Sequence, residues 1–307
     1  MIRILTLGAL CGLTILTGFA VAAEPPRLEG HWEGLIVLRP GEFEVDIRLD
    51  LVRASDGSLS GHLSYPNQGS KEYGLDAVHL DGDNVMFTST DEGGTVSVFQ
   101  GLSLDGGKTL QGTLVESGQK APFELHRTDR AGHPPAALES LSPDGSELKS
   151  RFNHDREQVR VLMILSPTCG TCRMGARLVE RHLLERLGNP GLSVYVVWEK
   201  IGPQDTREAA AQAAALLSSE RLHQFWSPDR FASLAFEASL KAQRIPAWDV
   251  FLVFGKGRRW LDMPPATDSV MHNQKMQEDL SKDRLLNAEK LAGEAKVLLG
   301  APAPVPP

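Results

Sequence analysis

Residues 161–179 read VLMILSPTCGTCRMGARLV. The apolar run 161–165 is short enough for a buried strand and stops at Ser166-Pro167. Cys169 and Cys172 follow, separated by Gly170 and Thr171, and then Ala176, Val179, Leu183, Leu184 and Leu187 recur at helical spacing. A strand, a turn, Cys-x-x-Cys and a helix form the context in which two cysteines read as redox chemistry rather than as a metal knuckle. Cys169 falls at the helix N-terminus, where unpaired backbone N–H groups and the helix dipole favour a thiolate. Arg173 adds positive charge nearby. Cys172, one turn on, lies on the same side and can resolve a mixed disulfide formed by Cys169.

The chain around this stretch alternates strand and helix. A short helix is expected at about 146–155, and Gly188-Asn189-Pro190-Gly191 ends the cysteine helix. A buried strand follows at 192–198. Asp205-Thr206-Arg207-Glu208 reads as a capping box opening an Ala-rich helix through Leu217. A short extra strand at 221–226, a helical stretch at 230–243 and the most apolar run, 250–254, come next. Gly255-Lys256-Gly257 then predicts a hairpin whose second strand is 258–261. A last amphipathic helix, 283–299, has Leu285, Leu286, Leu291, Val297 and Leu298 on its buried side. Residues 301–307 form a Pro/Ala tail expected to be disordered.

From 146 to 300 this order resembles the thioredoxin fold, on Cys169-Gly-Thr-Cys172 after a strand, on the downstream Ile245-Pro246 and on the closing strand-strand-helix. The resemblance implies that Cys169 attacks and Cys172 resolves. It makes Pro246 the candidate cis-proline, with Ile245 and Thr168 beside it as substrate-contacting residues. The sequence departs from the family at Thr168, where a Trp is usual, at Thr171, which replaces Pro or His, and at Met163, which takes the place of a buried acid. No cofactor and no resident metal are implied.

The first half reads as all strand. Phe43, Val45, Ile47, Leu49 and Leu51 alternate with Glu44, Asp46, Arg48 and Asp50, one buried face against one wet face. Turn signals at Asp56-Gly57, Asp81-Gly82, Asp105-Gly106-Gly107 and Ser117-Gly118 separate further short runs. About eight evenly spaced strands favour an up-and-down antiparallel barrel over a sandwich. Gly30-His31-Trp32 at the start and Arg127 at the end resemble the lipocalin (calycin) arrangement, in which a guanidinium from the closing strand covers the indole of the first. Leu49, Leu59, Leu63, Phe87 and Leu125 are expected to fill the interior, making the barrel a structural or docking module rather than a ligand carrier. His31, His62 and His126 lack ligand-like spacing and read as surface residues. The chain is thus read as an α+β protein of two domains, a barrel at 27–128 and a thioredoxin-like α/β domain at 146–300, joined by a Pro/Gly-rich linker at 129–145.

The 307-residue chain opens on Arg3, an apolar run from Ile4 to Val21 and a small-residue exit at Ala22-Ala23. This reads as a secretory signal peptide, 1–23, and hence as periplasmic or secreted, with an uncleaved anchor as the alternative. Cleavage removes Cys11, leaving Cys169 and Cys172 as the only thiols. It also removes one Arg and no acid, taking the formal charge from −7 to −8. An acidic surface argues against nucleic acid and anionic membranes and leaves protein thiols and disulfides as the expected partners. Two other readings of the pair stand beside the redox one. It is a redox-inert disulfide in a binding protein, or it joins Met271, His272 and Met276 in a copper or zinc site. Trp198, Trp226, Trp248 and Trp260 belong either to the core or to the wall of a substrate groove.

Overall fold

A computed structural model describes residues 26–69, 71–129, 137–240, 247–273 and 282–301. The expected signal segment, residues 302–307 of the expected tail, Met276, Ile245 and Pro246 lie outside the described residues. The first half closes into an eight-stranded antiparallel barrel with its strands in sequence order. They are β1 (Gly30–Arg39), β2 (Phe43–Arg53), β3 (Leu59–Ser64), β4 (Glu72–Asp81), β5 (Asn84–Thr90), β6 (Val96–Leu104), β7 (Thr109–Glu116) and β8 (Gln119–Thr128). β8 returns to pair with β1, so this sheet has no open edge.

Side chains fill the barrel. Leu49, Leu63, Phe87 and Leu125 are buried, Leu59 packs at the margin, and Phe99 stacks on Phe87 at 4.5 Å with Phe123 edge-on. Trp32 is fully buried at one end, donates from Nε1 to the Leu28 carbonyl at 2.9 Å, and carries the Arg127 guanidinium 4.6 Å from its ring centre. Gly30 is required there. Its φ is +131°, and a Cβ would sit 2.8 Å from Arg127 Nη1. In β4 the half-buried Tyr73, Leu75 and Ala77 alternate with exposed residues, and the pattern slips at Ala77-Val78 beside a register shift against β5. The barrel histidines singled out by sequence pair with carboxylates on the outer surface: His31 and His62 with Asp50, and His126 with Glu124.

The second half builds a six-stranded mixed sheet around β10 (Val159–Leu165). β11 (Leu192–Glu199) and β12 (Leu222–Ser227) continue parallel on one side of it, while β13 (Val250–Phe254) and β14 (Ser269–His272) lie on the other. Helices cover both faces, which is why the central strands are apolar without alternation. Val161, Met163 and Leu165 face one core with α2 (Gly170–Val179) and α5 (Ala288–Gly300). Leu162 and Ile164 face the other, with α1 (Ser146–His154) and α4 (Phe231–Leu240). α2 runs on as a π-helix, Glu180–Leu187. Gly175 lets α2 approach the sheet, since a Cβ would meet Phe251 at 2.4 Å.

The structure corrects five expectations. The end of the linker is a strand: β9 (Leu138–Ser140) pairs parallel with β12 at the sheet edge. Residues 258–261 do not form the partner of β13, which is β14. The Trp260 ring instead enters the core beside Phe152 and Phe236, and its backbone is held by Asn153 at 2.7 Å. α5 starts only at Ala288, capped by Asn287; its buried face is Ala288, Leu291 and Ala295, and Val297 is 74 % exposed. α3 (Arg207–Ala214) is capped by Thr206, which accepts from Ala209 N–H, and not by Asp205.

The fifth correction concerns β2, where Glu44 and Asp46 do not face water. Arg181 bonds Glu44 at 2.6 Å and Asp46 at 2.7 Å, Arg177 bonds Asp46 at 2.9 Å, and His182 Nε2 lies 3.0 Å from Glu44. The cysteine helix and its π continuation are therefore docked on the barrel wall through a buried charge cluster, which alternation along β2 alone could not reveal. No helix of the described residues is long and apolar enough to cross a membrane.

Candidate functional site

The C-terminal ends of β10 and β11, and the start of the antiparallel β13, meet at one edge of the sheet, and both cysteines lie there. β10 ends because Ser166 and Pro167 leave the ladder, and the turn is pinned by Asp205. This buried carboxylate accepts from Ser166 Oγ at 2.9 Å and from Thr168 through its hydroxyl at 2.6 Å and its N–H at 3.2 Å. It also takes the N–H groups of Ile201 and Gly202. Thr168, singled out by sequence, is exposed and adjacent to Cys169, held from behind by Asp205.

Cys169 is the N-cap of α2, its sulfur accepting the Cys172 N–H at 3.4 Å. It is partly exposed, whereas Cys172 is fully buried, and the two sulfurs are unbonded. The Cys172 thiol donates to Cys169 and, with the Thr171 hydroxyl and the Cys172 N–H, outweighs burial to bring the Cys169 thiol down to about 6. Burial pushes Cys172 the other way, well above the usual thiol range, helped by its bond to Cys169 and by the Asp249 charge.

Asp249 is the residue that sequence reasoning missed. It is 2 % exposed, immediately before β13, and one of its carboxylate oxygens lies within 4.8 Å of both sulfurs. Thr171 Oγ1 donates to it at 2.9 Å, and Asn273 Nδ2 is 3.4 Å away. Burial, then the Cys169 charge, raise its carboxyl to about 7. Met163, where the thioredoxin resemblance would put an acid, is packed in the apolar core with Cys172, and the acid beside the pair comes instead from the residue ahead of β13. The only trace in the sequence is an Asp directly ahead of the most apolar run, where burial is hard to avoid.

Thr171 Oγ1 also lies 3.1 Å from Cys169 Sγ and so stands between the thiolate and the carboxyl. Its one proton serves a single acceptor at a time. When Asp249 is ionised it takes that proton; when Asp249 is protonated, its own O–H can bond Thr171 and free the hydroxyl for the Cys169 thiolate. Trp248 packs in the same cluster as Cys169, partly buried, whereas Trp198, Trp226 and Trp260 are buried in the core. Met271 and His272 are buried on β14. The barrel also reaches the site: its short turn Pro66–Gln68 lies over the start of α2, with Gln68 Oε1 3.1 Å from the Cβ position of Gly170. Compared with known proteins, the chain matches no family model and no curated protein.

Proposed function

We propose that the protein is an exported thiol–disulfide oxidoreductase with a thioredoxin-like domain, acting on disulfides or thiols of partner proteins. The observation that carries this reading is the inequality of the two sulfurs: one at a helix tip, partly exposed and acidic, the other buried and basic. The strand-helix-strand of β10, α2 and β11, followed by β13, β14 and α5 in one sheet, supports the thioredoxin-like assignment. The Trp32–Arg127 stack supports a lipocalin-like reading of the barrel.

In the reducing direction, the Cys169 thiolate attacks one sulfur of the partner's disulfide. An S–S bond forms to Cys169, the partner's S–S bond breaks, and the other partner sulfur leaves as a thiolate. Cys172 then gives its proton to the Asp249 carboxylate and attacks Cys169 Sγ, expelling the second partner thiolate. The partner gains two electrons and Cys169–Cys172 becomes the disulfide. The reverse sequence oxidises a partner dithiol. Thr168, Ile245 and Pro246 are assigned to the partner's backbone, and Trp248 and the barrel turn at Gln68 to the flanks of the groove.

The reduction potential of the pair, measured by equilibration with glutathione, tests the proposal. An exchanging pair is expected between about −120 and −270 mV. A value below about −300 mV defines a static structural bond and rejects it.

A further inference from the structure

Beyond thiol exchange, we propose that the reduced protein binds one zinc ion through Cys169 Sγ, Cys172 Sγ and the Asp249 carboxylate. Among the described residues these are the only three Cys, His, Asp or Glu side chains whose ligand atoms all lie within 4.8 Å of one another. Tetrahedral zinc with Zn–S of about 2.3 Å and Zn–O of about 2.1 Å needs ligand atoms roughly 3.5–3.8 Å apart. The triad is therefore within about 1 Å of closing on an ion.

A further observation points to a cation. Asp249 is a buried carboxylate whose hydrogen-bond partners, Thr171, Asn273 and Cys172, are all neutral, and among the described residues it forms no ion pair. A buried carboxylate without a cation is driven toward its protonated form, and a bound metal ion would hold it ionised. The ligands come from three fixed places: the cap of α2, its first turn, and the start of β13.

The donor set selects the ion. Two thiolates exclude magnesium and calcium, which take oxygen ligands, and a carboxylate is a poor partner for copper(I). Zinc accepts both, and the partly exposed side of Cys169 leaves its fourth position open to water. Disulfide formation would remove two of the three ligands, so zinc and the disulfide are mutually exclusive states of one site.

The test is anaerobic equilibrium dialysis of the reduced full-length protein against zinc, followed by competition with a chromophoric chelator. One zinc per chain is expected for the wild type and none for Cys169→Ser or Cys172→Ser. Asp249→Asn should weaken binding at least about tenfold, the lower end of what losing even an outer-shell partner causes. Asp249→Cys, which supplies a third thiolate, should restore it. Cobalt substitution reads the same site through a thiolate-to-metal charge-transfer band, expected in the wild type and absent from Cys172→Ser. Unchanged affinity in a folded Asp249→Asn protein overturns the proposal. So does failure of Asp249→Cys to bind, or wild-type stoichiometry no higher than that of the cysteine variants. Disulfide exchange assayed on the same preparation keeps the two claims apart: zinc binding without exchange sinks only the redox reading, and exchange without zinc sinks only this one.

Discussion

Cys172→Ser is expected to stall the protein on its partner, accumulating a covalent adduct through Cys169 and reducing turnover to background. Cys169 sits at the cap of α2 and keeps its acidic, partly exposed sulfur in this variant, so the first attack proceeds. The second attack needs a sulfur at the fully buried position 172, and serine oxygen cannot displace a thiolate there. Part of the Cys169 acidity comes from the Cys172 thiol, and a serine hydroxyl can donate in its place, so reactivity at position 169 should persist. Non-reducing electrophoresis and mass spectrometry of a mixed incubation should show one partner per chain, released by added thiol. Cys169→Ser should capture none. Adducts on both variants would mean that the sulfurs are interchangeable, contrary to their burial.

Glu44→Ala is expected to destabilise the folded protein by about 3–5 kcal/mol, the usual effect of removing one member of a buried ion cluster. Glu44 is 2 % exposed and accepts from His182, Arg181 and the Gly41 N–H. Without it, His182 and Arg181 remain under the barrel wall with less compensation. Burial acts to raise the Glu44 carboxyl, but His182, Gly41 and Arg181 outweigh it and hold it at about 2, below its ordinary 4.5. A carboxyl lowered on folding contributes stability that is present above its unfolded value and lost as pH falls toward the folded one. Urea unfolding should therefore show wild-type stability declining between about pH 4.5 and 2 through this group, a component that Glu44→Ala lacks. An effect under about 1 kcal/mol at pH 7 would show that the barrel is not held through this cluster.

Much of the architecture was legible because period and punctuation agree with burial. Alternation in residues 43–51 marks the barrel wall, the unbroken run at 161–165 marks a strand covered on both faces, and Gly30, Trp32 and Arg127 mark the barrel's end. What stayed hidden depends on long-range contacts. Glu44 and Asp46 follow the pattern of a wet face, yet a helix more than a hundred residues later covers them. Asp205 looks like a cap, and only the fold turns it toward Ser166 and Thr168. The predicted hairpin does not form: β14 takes the place beside β13, and the Trp260 ring lies in the core with Phe152 and Phe236. At the site, both cysteines were readable from spacing, whereas Asp249 was not, since nothing local tells that its carboxyl meets the sulfurs at the start of α2.

The most direct measurement of the central claim is the rate of alkylation by iodoacetamide as a function of pH, with the modified residue mapped by mass spectrometry. Thiolates react and thiols do not. Cys169 should be labelled first, with a rate that rises through a midpoint of about 6, while Cys172 stays unlabelled in the folded protein at neutral pH. A midpoint near the ordinary thiol value of about 8.5, or labelling of Cys172 ahead of Cys169, would contradict a reactive sulfur at the tip of α2.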